Sequence, residues 1–150
     1  MQSQSRFVFE HAPGHLIRRA HQISVAVFAE ETAAHGMTPV QFAILNTLMA
    51  QSGIDQVTLA GRVAFDAATI GSVIGRLEKK GWLRRQAADA DRRRKLLWPT
   101  PEGEQAMLAM KGSVERVQRR LLKPLAPAER QQFVDLLRKL VTSHEHAAAD

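Results

Sequence analysis

The residues best suited to chemistry lie in one short segment, between positions 76 and 95. This segment carries nine basic and three acidic residues, so its charge of +6 equals the net charge of the whole chain. Concentrated positive charge attracts polyanions and releases their counterions, which makes the segment a candidate for binding nucleic acid. A solvated charged surface is the alternative interpretation. The basic residues are Arg76, Lys79, Lys80, Arg84, Arg85, Arg92, Arg93, Arg94 and Lys95.

The composition argues against several other kinds of chemistry. The 150 residues contain no cysteine, which excludes disulfides, thiolate nucleophiles and cysteine-based zinc sites. No hydrolytic triad, phosphate-binding glycine loop or pair of catalytic carboxylates is recognisable, so we expect no enzyme activity, no metal and no cofactor. No apolar run approaches the ~18 residues of a membrane span, and the polar start is not a signal peptide. We therefore expect a cytoplasmic protein without membrane contact.

Local signals predict the elements that position the basic segment. Thr38-Pro39-Val40-Gln41 predicts a capping box that starts a second helix, and Asp55 and Asp66 are predicted to cap a third and a fourth. The fourth helix spans 67–80. Two short strands, 82–86 and 95–98, then flank a polar turn and predict a hairpin, with Pro99 expected to end its second strand early.

Longer helices are predicted on either side of this region. The first begins near His15 and carries a wide apolar stripe, and the fifth begins at Thr100. A sixth, from about 127 to 144, is expected to bury Phe133, Leu136, Leu137, Leu140 and Val141. The expected fold is mainly α, a single domain over 1–150 in the order α-α-α-α-β-β-α-α.

Two short helices followed by a basic hairpin describe a winged helix-turn-helix, whose second helix enters the DNA major groove. On a helical wheel, Ala68, Ser72 and Lys79 lie opposite the apolar stripe of helix 67–80, and Thr69 and Arg76 flank them. These five residues are our candidates for contact with bases or phosphates.

Two glycines inside the same helix, Gly71 and Gly75, require an explanation, because glycine there costs roughly 1 kcal/mol relative to alanine. We favour a close approach of the helix backbone to DNA. The alternative is that they admit a neighbouring helix.

Several separate motifs occur in the order found in one family. They are Leu59-Ala60-Gly61-Arg62-Val63-Ala64-Phe65-Asp66, Arg76-Leu77-Glu78-Lys79-Lys80-Gly81-Trp82-Leu83, Asp91-Arg92-Arg93 and Thr100-Pro101-Glu102-Gly103. Over nearly its whole length the chain resembles the MarR family of bacterial transcriptional regulators.

The resemblance implies a DNA-binding part at 38–99 and dimerisation helices at 10–36 and 100–146. In the family's wing an aspartate orients an arginine that enters the minor groove, which would be Asp91 with Arg92 or Arg93. We include the neighbouring Arg94 among the wing contacts. The implied protein is a homodimeric repressor of a palindromic operator in double-stranded DNA.

Release from DNA is expected through a small aromatic carboxylate, the type of effector that the family often binds beside its dimer helices. His15, Arg18, Arg19 and His21 crowd one end of the first helix, and Phe42 is the expected apolar partner. Guanidinium and imidazole groups suit a carboxylate on an aromatic ring. This stretch also resembles regulators of nicotinate-type catabolism. The alternatives are that these groups face solvent or pair with acidic residues across the dimer, and that the protein is a ligand-independent activator or architectural protein.

Overall fold

Six α-helices and three short strands form the fold within residues 7–148, the part of the chain that the computed structural model describes. Two 3-10 turns also occur there, at Phe9–His11 and Ala33–His35. The helices are α1 (Pro13–Thr32), α2 (Pro39–Ala50), α3 (Gln56–Val63), α4 (Ala67–Lys79), α5 (Pro101–Leu122) and α6 (Pro127–Ala147). The strands are β1 (Ile54–Asp55), β2 (Leu83–Ala87) and β3 (Lys95–Pro99).

The predicted caps are present at the starts of the central helices. The side chain of Thr38 accepts the N–H of Gln41, whose own side chain accepts the N–H of Thr38, so the capping box is complete. Asp55 accepts the backbone N–H of Thr58 at 2.8 Å and starts α3. Each cap satisfies a backbone donor that the first helical turn leaves unpaired.

The sheet contains one strand that the sequence did not indicate. β1 pairs antiparallel with β3, which therefore lies in the middle of the order β1-β3-β2. β3 runs through Pro99, which pairs with Leu83, so the expectation that this proline shortens the strand was wrong. Leu97 accepts a hydrogen bond from Gly53 on the β1 side. Pro99 lies two residues later, so its nitrogen, which carries no hydrogen, faces the same side at a point beyond the end of β1.

The hydrophobic core joins α2, α3 and α4 to the sheet. Helices α3 and α4 turn through 107° about a short connection, within the range of a helix-turn-helix. Ala64 makes this turn in the left-handed region, at φ 56°. The fully buried aliphatic side chains that α2, α3, α4 and the sheet contribute to this core are Ile44, Leu45, Leu48, Leu59, Ile70, Ile74, Leu77 and Leu97.

The terminal helices are packed unequally. The C-terminal end of α1 is joined to α5 by Glu31, whose carboxylate accepts from Arg116 at 2.9 Å and from Arg120 at 3.0 Å. Helix α6 buries none of its residues. The prediction that its apolar residues are buried was wrong for the single chain, because its apolar stripe is not packed into the core. The side chains that remain 39–58% exposed are Phe133, Leu136, Leu137, Leu140 and Val141.

No single helix within residues 7–148 has both the length and the apolar character that crossing a membrane requires.

Candidate nucleic-acid interface

One face of α4 is exposed along its whole length. The opposite face is buried, because Ile70, Ile74 and Leu77 lie in the core with no exposed surface. The five candidates predicted from the helical wheel are all exposed, so the structure brings them together on one accessible surface. They are Ala68, Thr69, Ser72, Arg76 and Lys79.

The N-terminal end of this face carries a fixed carboxylate. Asp66 accepts the backbone N–H of Thr69 at 2.9 Å and the Thr69 hydroxyl at 2.7 Å. These bonds, led by the backbone one, hold the pKa of Asp66 below its usual range. Since the hydroxyl proton of Thr69 is donated to Asp66, its oxygen faces a ligand mainly as an acceptor.

The two glycines of α4 have different surroundings. A Cβ at Gly75 would meet nothing within 4 Å, so this position is open to an outside molecule. A Cβ at Gly71 would lie 2.9 Å from the side-chain nitrogen of Gln56, which donates to the carbonyl of Ala67. Gly71 therefore admits a side chain of α3, which was the alternative interpretation, and only Gly75 fits the proposed approach to DNA.

The hairpin β2–β3, which we call the wing, ends in a compact turn. Ala88 donates to the carbonyl of Arg94 at 2.9 Å, and Arg94 donates to the carbonyl of Asp91 at 3.0 Å. The side chain of Asp91 accepts the backbone N–H of Arg93 at 3.0 Å. Asp91 thus shapes the turn through a main-chain bond, and the side chains of Arg92 and Arg93 are exposed beside it.

Four of the nine basic side chains in this region have partners within the protein. Lys80 donates to the carbonyl of Gly36 and lies 4.5 Å from the ring centre of Trp82. Arg84 lies over Trp98 and Arg85 pairs with Glu78. Arg94 pairs with Asp55 at 2.8 Å. The other five make no side-chain hydrogen bond, ion pair or cation–π contact within residues 7–148. They are Arg76, Lys79, Arg92, Arg93 and Lys95.

The wing is clamped at its base to α5. Trp82 offers its carbonyl to the N–H of Thr100 at 3.0 Å, and Thr100 in turn caps α5 by accepting the N–H of Gly103 at 3.0 Å. The position of the wing relative to α5 is therefore set by a main-chain bond of Thr100 and by the cap that its side chain provides.

A second candidate site is a cavity of about 250 Å³ between α2 and α5. Phe42, predicted as the apolar partner of an effector, lines it, and its ring lies 5.8 Å from that of Phe28 on α1. Met107 adds an apolar wall, while Lys111 and Glu115 supply opposite charges at the cavity. Lys111 was not found from the sequence, because one lysine on an exposed helix face has no distinguishing pattern.

The other predicted effector-binding residues lie apart from this cavity. His15 is thirteen residues before Phe28 on α1, a distance of about 20 Å along the helix axis. Its ring packs on Phe9 at 4.5 Å, and its Nδ1 lies 3.2 Å from the guanidinium of Arg18. Arg19 donates to Gln22 at 2.7 Å, and His21 is exposed. Within one chain these four residues do not line the Phe42 cavity.

The sequence and the fold of this chain are similar to those of known transcriptional regulators. The sequence profile of the MarR family matches residues 37–95. The chain is 30% identical over 129 residues to the transcriptional regulator HosA of Escherichia coli O157:H7, covering 86% of this chain and 94% of HosA. It is 29% identical to the HTH-type transcriptional repressor NicR of Pseudomonas putida, covering 89% and 85%.

A solved structure of BpsR from Bordetella bronchiseptica superposes with a TM-score of 0.85 at 35% identity, covering 90% of this chain and 96% of BpsR. That structure was described for the regulation of DNA binding by 6-hydroxynicotinic acid. The similarity therefore extends over nearly all of the chain, including the terminal helices.

Proposed function

The chain belongs to the MarR family of transcriptional regulators, and from this we propose that it is a homodimeric repressor that leaves a palindromic operator when an aromatic carboxylate binds. The members of this family are DNA-binding proteins, not enzymes. A repressor of this kind works where the chromosome lies, in the cytoplasm.

The observation that carries the proposal is that an exposed face of α4 occurs together with a wing on which Arg92 and Arg93 are exposed and make no side-chain contact within residues 7–148. We infer that Ala68, Thr69 and Ser72 approach base edges in the major groove, with Arg76 and Lys79 on the adjacent phosphates. Arg92 and Arg93 extend from the wing towards the minor groove, where arginine suits narrow, electronegative stretches. Arg94, predicted with them, is considered separately because Asp55 engages its guanidinium.

A second copy of the chain is the proposed cover for the apolar stripes. Leu136 on α6 is 58% exposed and Leu16 on α1 is 51% exposed. Apolar stripes of this extent are a feature of interaction surfaces. We assign dimerisation to residues 10–36 and 100–146, and DNA binding to 38–99. Two-fold symmetry then places two α4 helices about one DNA turn apart, which predicts a palindromic operator.

The effector site of the proposed repressor is the Phe42 cavity. Its apolar walls would take an aromatic ring, and the Lys111 ammonium would take the carboxylate. The predicted residues His15, Arg18, Arg19 and His21 would act there only from the second chain, since in their own chain they lie along the far half of α1. BpsR supplies a first compound to test, 6-hydroxynicotinic acid.

The test is a selection of DNA duplexes from a random library with the purified protein. We expect recovery of one palindrome bound at least a thousandfold more tightly than random duplex, with steep salt dependence. Equal binding to all sequences in competition would contradict the proposal.

The same protein is then screened by thermal shift against aromatic carboxylates, starting with 6-hydroxynicotinic acid. A compound that raises the Tm and also releases the selected duplex supports the ligand-responsive repressor. Sequence-specific binding with no response to any compound would instead favour a ligand-independent DNA-binding protein.

A further inference from the structure

The arginine that closes the wing turn is tied to the helix-turn-helix. The Nε of Arg94 donates to Oδ2 of Asp55 at 2.9 Å, and Nη2 lies 2.8 Å from the same oxygen. The two residues are 39 positions apart in the chain. The Asp55 side chain is only 24% exposed, so this carboxylate is held in a partly shielded position.

Asp55 is itself fixed by several independent contacts. Its other oxygen, Oδ1, accepts the backbone N–H of Thr58 and caps α3. Its backbone belongs to β1, where it pairs with Leu96 of β3. Hydrogen bonds from Thr58 and then from Arg94 hold the pKa of Asp55 below its usual range, so the carboxylate is charged at neutral pH. Arg94 is therefore bonded to a rigid point of the DNA-binding part.

Arg94 is also the residue on which the wing turn closes. Its carbonyl accepts from Ala88 and its N–H donates to Asp91, so its backbone ends the turn on both sides. Arg92 and Arg93 lie immediately before it and are exposed. Because Asp55 holds the side chain of Arg94, the positions that Arg92 and Arg93 can take relative to α3 and α4 are restricted.

We propose that Arg94 is a positioning residue that joins the wing to the N-terminus of α3, and that it does not itself contact DNA. The bond sets the distance between the wing arginines and the α4 face before DNA arrives, so less ordering is required on binding. It also pairs the negative charge of Asp55 with a positive charge inside the DNA-binding part. This inference rests on the proposed DNA-binding function.

The experiment compares Arg94→Ala, Asp55→Asn and the double variant on the duplex that wild-type protein selects. Asparagine keeps an oxygen that can cap α3, so the substitution removes the ion pair with little change to the helix start. We expect each single variant to bind roughly two- to fivefold more weakly, the range for losing an exposed ion pair. The double variant should bind no more weakly than Arg94→Ala alone, because both changes remove the same contact.

Salt dependence separates a positioning role from a DNA contact. A lost phosphate contact lowers the slope of log K against log salt by about 0.9, whereas a lost internal bond leaves it unchanged. Arg93→Ala is the matched control on the same turn and should lower the slope. Asp66→Asn is the comparison variant, because Asp66 also caps a helix of the proposed DNA-binding part but pairs with no arginine within residues 7–148.

Three results would each overturn the inference. One is a fall in slope for Arg94→Ala equal to that for Arg93→Ala. Another is tighter binding by Asp55→Asn than by Asp66→Asn, which would mean that Asp55 withholds Arg94 from DNA. The third is unchanged affinity in all the Arg94 and Asp55 variants.

A measurement without DNA distinguishes failure of this inference from failure of the proposed function. The Nε–H signal of Arg94 in a ¹⁵N NMR spectrum should move in Asp55→Asn. A signal that is insensitive to Asp55→Asn would show that the pair does not form, whether or not the protein binds DNA.

Discussion

Gly103 of α5 lies directly against the main chain of Trp82. A Cβ built on Gly103 would be 2.1 Å from the Trp82 carbonyl oxygen and 2.9 Å from its carbonyl carbon. The obstacle is backbone, and that backbone is held because the same oxygen accepts the N–H of Thr100. The absence of a side chain at position 103 is thus what allows the base of the wing to meet α5.

Gly103→Ala is therefore expected to destabilise the protein, although alanine favours helices. Crowding against the fixed backbone should cost about 1–3 kcal/mol in the free energy of unfolding. Gly112→Ala is the control on the same helix, because its nearest neighbour is an Arg116 nitrogen at 3.6 Å. That variant should gain up to about 1 kcal/mol. Urea unfolding at a fixed protein concentration measures both, and a gain in both variants would contradict the close contact.

Gly75→Ala should separate folding from DNA binding. Nothing lies within 4 Å of a Cβ at this position, so the free energy of unfolding should rise by up to about 1 kcal/mol. If the α4 backbone approaches DNA here, the added methyl group should weaken operator binding roughly tenfold, equivalent to about 1.4 kcal/mol. Fluorescence anisotropy with the selected duplex measures the affinity. Undiminished binding would remove Gly75 from the interface.

Arg93→Ala tests the wing directly. We expect roughly tenfold weaker binding to the selected duplex and a loss of about 0.9 from the salt slope. The control is Arg138→Ala on α6, whose side chain pairs with Asp135 on the same helix at 3.1 Å. An Arg93→Ala variant that behaves like Arg138→Ala in both measurements would exclude a wing contact at this position.

Lys111→Met tests the effector cavity. Methionine keeps most of the apolar length of the side chain but removes the charge, so an aromatic carboxylate should bind roughly tenfold more weakly after losing a charged hydrogen bond. Binding of the selected duplex without ligand should be retained. Lys123→Met, beyond the C-terminal end of the same helix, is the control. Equal ligand affinity in the two variants, measured by calorimetry, would place the effector elsewhere.

Glu31→Gln should change how the stability of the protein depends on pH in the acidic range. Hydrogen bonds from Arg116 and then Arg120 lower the pKa of Glu31 below the ordinary glutamate range. The folded state thus holds the carboxylate deprotonated more strongly than the unfolded state does. The charged Glu31 carboxylate therefore contributes fully to the free energy of unfolding at pH values above the ordinary pKa range of glutamate. This contribution is lost as the pH falls through the lowered pKa that Glu31 has in the folded state.

Wild-type protein should accordingly exceed Glu31→Gln in Tm at neutral pH, and the difference should narrow in acid. The comparison variant is Asp135→Asn, which breaks a pair within one exposed helix. A Tm difference for Glu31→Gln that is independent of pH would contradict the ionic role of this residue.

Features set by neighbouring residues were predictable from the sequence. Thr38, Asp55 and Asp66 each cap a helix that begins at the next residue, and each accepts the N–H three residues downstream, so a short motif contains all the information required. The exposed face of α4 followed from helical spacing in the same way, since Ile70, Ile74 and Leu77 define the opposite side.

Features that depend on distant segments were not predictable. β1 has only two residues and exists because β3, about forty residues later, pairs with it. The partner of Arg94 likewise comes from β1, and the neighbour of Gly71 comes from α3. Lys111 lies at the cavity because α5 packs beside α2. The unburied stripe of α6 was missed for a different reason: apolar spacing predicts that a face is covered, but not which molecule covers it.

Four of the nine basic side chains between positions 76 and 95 are paired within the part of the protein that the structure describes and five are not, and this division has a consequence for DNA binding. If the five uncommitted cations, including Arg76 and Arg93, each neutralise one phosphate, the slope of log K against log salt is roughly −4.5 per protomer. Doubling the monovalent salt would then weaken binding about twentyfold per protomer. Occupancy of the operator would therefore depend on the ionic strength around the DNA as well as on any effector.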